Sequence, residues 1–276
     1  MTSCTSKRMK LSEGMDDRIS NLPIEIIDRI LDNMPVRDAT RTTILSRKWR
    51  NFWPMHPKLV LDQHSLRVNR IDKVINKILL QRTGLVLKFL LDLSCINSSK
   101  YSDVDQWLIF LSRNGLKKLA LLYSETPAKP YRFPSYVFSC PSLKHMALHN
   151  VVIKPFSSRS LDNLTFLSFK NVGVESNSSE VFSSPRNPQL KKLSIERCVG
   201  IVHLEIVAPL LEVLRIYFSY GVRINSLLNP NLKEFNFNSL GKGETKKHGF
   251  DLLSGLFAKL SNIRVLLFDG FFLKGR

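Results

Sequence analysis

Seven hexads of the form L-x-x-L-x-L, with conservative replacements, recur along one long stretch of this chain. They begin at Leu116 (LKKLAL), Leu143 (LKHMAL), Leu164 (LTFLSF), Leu190 (LKKLSI), Leu211 (LEVLRI), Leu232 (LKEFNF) and Ile263 (IRVLLF). Their spacings run from 21 to 31 residues with a mean of 24.5, inside the roughly 20 to 29 residues typical of one class of stacked repeat. Side chains alternate along a strand, so the second and last apolar positions of a hexad point inward while the residues between them face solvent. One such unit cannot bury its own leucines. Stacking the units in parallel merges the leucines into one core and leaves a curved solenoid with a parallel sheet on its concave face.

The residues flanking the inward leucines are then the natural contact surface for a partner. They are Lys118 and Ala120, His145 and Ala147, Phe166 and Ser168, Lys192 and Ser194, Val213 and Arg215, and Glu234 and Asn236. A further row holds His149, Lys170, Glu196, Tyr217 and Asn238. Phe166 and Tyr217 beside Lys170, Lys192 and Arg215 give the mixture of aromatic and basic groups that anchors protein interfaces. With Lys118 and His145, these are the candidate contact residues; ordinary solvated surface is the competing role for each. Pro141 and Pro188 each precede a hexad and feed an extended strand. The Ser- and Asn-rich stretches at 157–160 and 176–184 suit loops on the outer side. Asp103 to Arg113, with Ser102 as cap and Val104, Trp107, Leu108 and Leu111 on one face, has the period of a helix.

The N-terminal part differs in character. Residues 1–15 form a polar basic tail, and 16–53 read as three short helices. Ile26, Ile27, Ile30, Leu31 and Met34 make one apolar stripe. Pro23 suits the first helical position and Glu25 the positive end of the helix dipole. Pro35 stops this helix near Asn33, and a second short helix fits Val36 to Thr43. Ser46 can cap a third helix that carries Trp49, Phe52 and Trp53 before Pro54 ends it. So small a core needs support. These helices either dock on the rest of the chain or keep an apolar face for another protein. In residues 54–94, Ile71, Val74, Ile75, Ile78 and Leu79 make a helical stripe, and Phe89, Leu91 and Leu93 alternate as in a strand. This region is expected to couple the small helical unit to the repeats of residues 95–276.

The run Leu22-Pro23-x-Glu25-Ile26-Ile27, then Ile30-Leu31, Met34-Pro35-Val36-Arg37-Asp38 and Ile44-Leu45-Ser46-Arg47-Lys48-Trp49-Arg50, resembles an F-box. Its later portion, Thr42 to Trp49, looks most like plant members. Ala39 and Met34 depart mildly, each standing where Leu is usual. Together with repeats of the LKKLAL, LKHMAL and LTFLSF type, the chain resembles the plant F-box/leucine-rich-repeat family over nearly its whole length. The fold class this implies is α/β: an N-terminal three-helix F-box followed by a curved leucine-rich-repeat solenoid. Members resembling this chain are substrate receptors of SCF-type ubiquitin ligases. Their F-box holds a Skp-type adaptor tied to a cullin-RING assembly, and their repeats hold a target protein. Position by position, the resemblance carries adaptor contact onto Leu22, Pro23, Ile26, Ile30, Pro35, Val36, Leu45 and Trp49. Internal packing competes for some of these, Ile30 and Trp49 above all. Relatives extend into further repeats or a terminal FBD domain, whereas this sequence stops at Arg276 soon after Phe271-Phe272-Leu273, so its completeness stays open.

Charge leaves a second reading. The formal net charge is +18 over 276 residues, of which residues 54–276 carry +15 and Asp16 to Trp53 only +1. A basic solenoid binding nucleic acid, or a scaffold outside degradation, is the alternative. The basic residues are spread along the repeats with no recognition helix or RNP-like motif, which speaks against nucleic acid. Phosphate-binding, nucleophile-elbow and HExxH signatures are missing, and a receptor of this kind catalyses nothing itself. His145 and His149 stand four apart, but on a strand that spacing does not converge on a metal. Gly241-Lys242-Gly243 reads as a mobile basic loop. Cys4, Cys95, Cys140 and Cys198 are too dispersed for a zinc site or a disulfide framework, so neither metal nor cofactor is expected. No stretch reaches the ~18 to 20 apolar residues of a membrane span. Lys7-Arg8-Met9-Lys10 is a weak import signal, leaving nucleus and cytoplasm both open as locations.

Overall fold

A computed structural model describes residues 19–63, 71–154, 161–175, 188–201, 203–217, 223–227, 231–238 and 262–268. The tail at 1–15, the loops at 157–160 and 176–184, and Gly241 to Gly243 lie outside the described residues.

The chain opens with three helices, α1 (Ile24–Asp32), α2 (Val36–Arg41) and α3 (Trp49–Met55). Pro23 is the residue before α1 rather than its first helical residue. Its extended ψ of 146° aims its carbonyl at the Ile26 and Ile27 amides. Pro35 does the same for α2, accepting from Asp38 and Ala39. The second helix is shorter than its sequence pattern indicates, because a 3-10 turn over Thr42–Ile44 tightens its end. Ser46 Oγ accepts from the Trp49 amide at 3.3 Å, but the residue directly before α3 is Lys48, which makes no side-chain cap bond, so Ser46 braces the turn ahead of the helix instead of capping it. Pro54 lies inside the last turn of α3 and does not end it; the helix runs on to Met55.

The strand β1 (Lys58–Leu61) follows at once, then α4 (Ile71–Leu80) and β2 (Lys88–Asp92). Leu93 falls in a 3-10 turn, not in the strand, because Asp92 accepts from the Ser94 amide and bends the chain there. The next helix, α5 (Tyr101–Arg113), starts one residue before Ser102, which is therefore inside it and not its cap. Its expected apolar face of Val104, Trp107, Leu108 and Leu111 is buried.

Beyond it come β3 (Lys118–Leu122), β4 (Arg132–Phe133), β5 (His145–His149), β6 (Val152–Ile153), β7 (Phe166–Lys170), β8 (Gly173–Val174) and β9 (Lys192–Glu196). The last elements are β10 (His203–Ile206), β11 (Val213–Tyr217), β12 (Arg223–Leu227), β13 (Glu234–Asn238) and β14 (Val265–Phe268). Every hexad supplies one strand, and each strand begins at the third hexad residue. These seven strands, with β1 and β2 ahead of them, form one nine-stranded sheet in the order β1-β2-β3-β5-β7-β9-β11-β13-β14. All neighbours are parallel, and no register shift occurs within the sheet.

Register explains the core. Leu59, Phe89, Leu119, Met146, Leu167, Leu193, Leu214 and Phe235 stand in one buried row, and Leu61, Leu91, Leu121, Leu148, Phe169, Ile195, Ile216 and Phe237 in the next. Each repeat thus covers its neighbour's leucines, as the periodicity requires. Directly after β5, β7 and β9 the chain turns through a left-handed residue: Asn150, Asn171 and Arg197, with φ near 50° to 56°. Asn tolerates that conformation better than most side chains. Small parallel sheets on the other flank, β4-β6-β8 and β10-β12, have no signature in the hexads. No helix among the described residues is long and apolar enough to cross a membrane.

Candidate interaction surfaces

The helical head divides its apolar residues between two sides. Ile27 and Leu31 of α1 face inward, as do Ala39, Trp49 and Trp53. Val36 and Trp49, carried from the resemblance as adaptor contacts, are 4% and 3% exposed. They are core residues. The edge of the Phe52 ring packs against Trp49 with centroids 5.5 Å apart, and α2 is too short to present Val36 outward once Ala39 has turned in.

The outer side is unusually apolar. Ile44 is 83% and Leu45 66% exposed, and Ile19, Ile24 and Ile26 also face solvent. Pro23 and Pro35 are exposed, and Leu22 and Ile30 are half-buried. Two hydrogen bonds bring the segment ahead of α1 against the turn ahead of α3: Ser20 Oγ lies 3.0 Å from Ser46 Oγ, and Lys48 Nζ donates to Asn21 Oδ1 at 2.6 Å. The stretch that carries Leu22 and the stretch that carries Leu45 are therefore held side by side. Clustered exposed apolar groups mark interaction sites. Of the eight residues carried over, Leu22, Pro23, Ile26, Ile30, Pro35 and Leu45 are available on the surface. Ile24 and Ile44 were missed, although each sits beside a residue singled out for the same role.

The head is locked to the sheet. His56 is 3% exposed, with Nδ1 2.7 Å from Asp28 Oδ1 and Nε2 3.3 Å from Asp32 Oδ1. Lys58 Nζ lies 3.0 Å from that same Asp32 oxygen. From the other side, Arg82 lies 4.5 Å over the Trp53 ring and donates through Nη1 to the Trp53 carbonyl at 3.0 Å and to the His56 carbonyl. Burial lowers the Arg82 guanidinium to about 10, which still leaves it charged near neutral pH. The Thr83 and Gly84 amides both donate to the Pro54 carbonyl at 3.2 Å.

On the sheet, all seven candidate contact residues fall on the face opposite the buried rows. Lys118, His145, Phe166 and Lys192 follow one another in register. Arg215 lies one row further, and Lys170 and Tyr217 two rows further. The structure separates them by charge pairing. Lys170 is held by Glu196 at 3.2 Å and Arg215 by Glu234 at 2.7 Å. The bond to Glu234 raises Arg215 above its ordinary value, and Arg215 in turn lowers the Glu234 carboxyl. The Asn236 amide adds a second donor to Glu234 at 2.8 Å. Upstream, the His145 ring stacks on Phe166 with centroids 6.0 Å apart and planes at 24°. Burial and the adjacent Lys118 charge push His145 below the usual histidine range.

The sequence pattern also missed the upstream end of this face. Lys58 pairs with Lys88, and Lys88 with Lys118, on consecutive strands. The run Val86-x-x-Phe89-x-Leu91 is an eighth hexad, 30 residues before Leu116, and would have revealed Lys88 and Leu90. An open hollow of about 170 Å³ lies there, lined by Leu90, Ala120, Ala147, Lys88, Lys118, His145 and Phe166 with the buried row beneath. No cluster of His, Cys, Asp or Glu among the described residues is placed to hold a metal ion.

Comparison with known proteins accounts for both parts. Residues 19–61 match the F-box domain family, and residues 78–251 match the family described as At1g61320/AtMIF1, LRR domain. The chain is similar to the F-box/FBD/LRR-repeat protein At1g13570 of Arabidopsis thaliana, 36% identical over 147 residues, covering 50% of this chain and 34% of that one. From the same plant, the F-box/FBD/LRR-repeat protein At5g56420 is 27% identical over 212 residues, 74% of this chain and 49% of its own. The F-box/LRR-repeat protein At5g02910 is 28% identical over 196 residues, 70% and 41% respectively. The chain spans about a third to a half of the length of these relatives. No solved structure matches it. F-box and leucine-rich-repeat domains are interaction modules, and no enzymatic family is indicated. The helical head coincides with the F-box match and the ladder of leucine repeats with the LRR match, and the chain belongs to the plant F-box/LRR-repeat family.

Proposed function

We propose that this chain is a substrate receptor of an SCF-type ubiquitin ligase: the helical head binds a Skp-type adaptor and the open face of the sheet binds a target protein for ubiquitination. The observation that carries this reading is the set of exposed apolar side chains Ile24, Ile26, Ile44 and Leu45 on a head whose core is otherwise closed. A free helical unit gains nothing by leaving such groups in water. The contribution to ubiquitin transfer is proximity alone, raising the effective concentration of a target lysine near the charged conjugating enzyme. Nucleus and cytoplasm are the compartments in which such a receptor meets its adaptor.

Co-purification with a plant Skp adaptor tests the reading. The expected result is capture that resists high salt, as apolar contacts do, and that is lost in a Leu22→Ala, Pro23→Ala double variant. A well-folded wild type that captures no adaptor at either ionic strength overturns it.

A further inference from the structure

The open face of the sheet is not uniform. From β7 onward two of its three basic groups are matched in pairs, Lys170 with Glu196 and Arg215 with Glu234, and Lys192 stands without an ion-pair partner among the described residues. At the upstream end Lys58, Lys88 and Lys118 occupy identical register positions on adjacent strands, about 4.8 Å apart in strand spacing. Like charges placed side by side across strands oppose folding. Lys58 is relieved by Asp32 at 3.0 Å. Lys88 and Lys118 are exposed and have no carboxylate within ion-pair distance among the described residues. Beside this cationic edge the next row is apolar and small: Leu90, Ala120 and Ala147. One ring nitrogen at the rim of the hollow, His145 Nδ1, is buried without a hydrogen-bond partner.

We propose that this hollow is the docking site for an acidic peptide segment of the target, with an aliphatic side chain seated over Ala120 and Ala147 and flanking carboxylates meeting Lys88 and Lys118. The proposal deepens the receptor reading and rests on it. Charge complementarity names the occupant: the two uncompensated ammonium groups need carboxylates, and the alanines leave room for a branched aliphatic group but no polar partner for it. A phosphate backbone fits less well. It needs a continuous track of free cations, and downstream Lys170 and Arg215 are already held by Glu196 and Glu234, leaving only Lys192, separated from Lys118 by the strands of His145 and Phe166. A base would also need an open aromatic face, whereas Phe166 is stacked on His145.

The test is selection of a random-peptide library on the full chain, followed by affinity measurement on the selected peptides. The expected consensus places Asp or Glu on both sides of Leu, Ile or Val. Affinity falls about tenfold or more in a Lys88→Glu, Lys118→Glu variant, and similarly in Ala147→Trp, which fills the hollow without touching charge. Thermal unfolding of each variant checks that the fold is kept. A consensus without acidic residues, acidic peptides that bind both variants as tightly as wild type, or displacement of the peptide by a single-stranded oligonucleotide overturns the site. Adaptor capture measured on the same samples separates the two claims. Capture with no acidic consensus overturns the docking site alone, and a peptide consensus on a chain that captures no adaptor overturns the receptor reading.

Discussion

A side-chain carbon on Gly84 would lie 2.7 Å from the carbonyl oxygen of Met55 and 2.8 Å from its Cα. The segment after α4 therefore lies directly on the backbone that ends α3, and only the absence of a side chain permits it. Both Gly84 and Thr83 donate to the Pro54 carbonyl, so a shift of this segment would break hydrogen bonds as well as packing. Gly84→Ala is expected to cost about 1 to 3 kcal/mol, read by urea unfolding. A cost near zero would mean that the joint relaxes freely.

Arg82 acts at the same joint through three contacts, two carbonyl bonds and the face of Trp53. Arg82→Ala leaves the Trp53 and His56 carbonyls without this donor and is expected to lose about 2 to 3 kcal/mol. Arg82→Lys recovers little of it, because an ammonium lacks the planar group that stacks and donates together. Hydrogen exchange at the amides of Met55, His56 and Lys58 should rise in both variants, and unchanged protection would exclude a clamping role.

Core and surface in the head make opposite predictions. Trp49→Ala removes a buried indole and should destabilise by about 3 to 5 kcal/mol. Ile44→Ser with Leu45→Ser should leave stability within about 0.5 kcal/mol per site while reducing adaptor capture about tenfold or more. Stability and capture are measured on the same preparations; loss of stability in the serine variant would place those side chains inside the fold.

Lys118→Glu converts a repulsive neighbour of Lys88 into an attractive one. Stability should rise by up to about 1 kcal/mol, even as target binding weakens. The gain should shrink with added salt. A fall in melting temperature at low salt would show that the lysine ladder is not under electrostatic stress.

Asp32 supplies a pH dependence. Burial by itself raises its carboxyl, but the hydrogen bond and charge of Lys58, with His56, outweigh this and hold it below its usual value. A lowered carboxylate contributes stability above its unfolded value near pH 4 and loses it as pH falls through the folded value. With the side chain 44% exposed, screening limits the effect to under about 1 kcal/mol. Asp32→Asn should be less stable than wild type at neutral pH, and the gap should close in acid. A gap independent of pH would assign the loss to packing.

The parallel sheet was legible because its signal repeats: each hexad places its strand at the same offset, and stacking must bury the same positions in every unit. What was not legible depends on context that no periodicity carries. Lys58 to Leu61 is a single short run after Pro57, with nothing to show that it would pair with Phe89 and its neighbours. In α2 and α3, six and seven residues long, there are fewer than two helical turns to separate inside from outside. Trp49 therefore read as easily outward as inward, and the 3-10 turn that swings Ile44 and Leu45 into solvent has no pattern of its own. The division of the basic face is a matter of register: Arg215 and Glu234 are 19 residues apart, and only adjacency of β11 and β13 turns them into a pair.

The strand β1 is the end of the F-box match and also the first rung of the sheet. There is consequently no swivel between what the head holds and what the face holds. The hollow begins one rung beyond β1 and extends to β7, so its centre stands only about 10 to 15 Å from the head at the usual strand spacing. In a ligase receptor so short a lever would not sweep a bound target past the conjugating enzyme. Which lysine is modified would then be decided by how far the target's own chain reaches from its docked acidic segment.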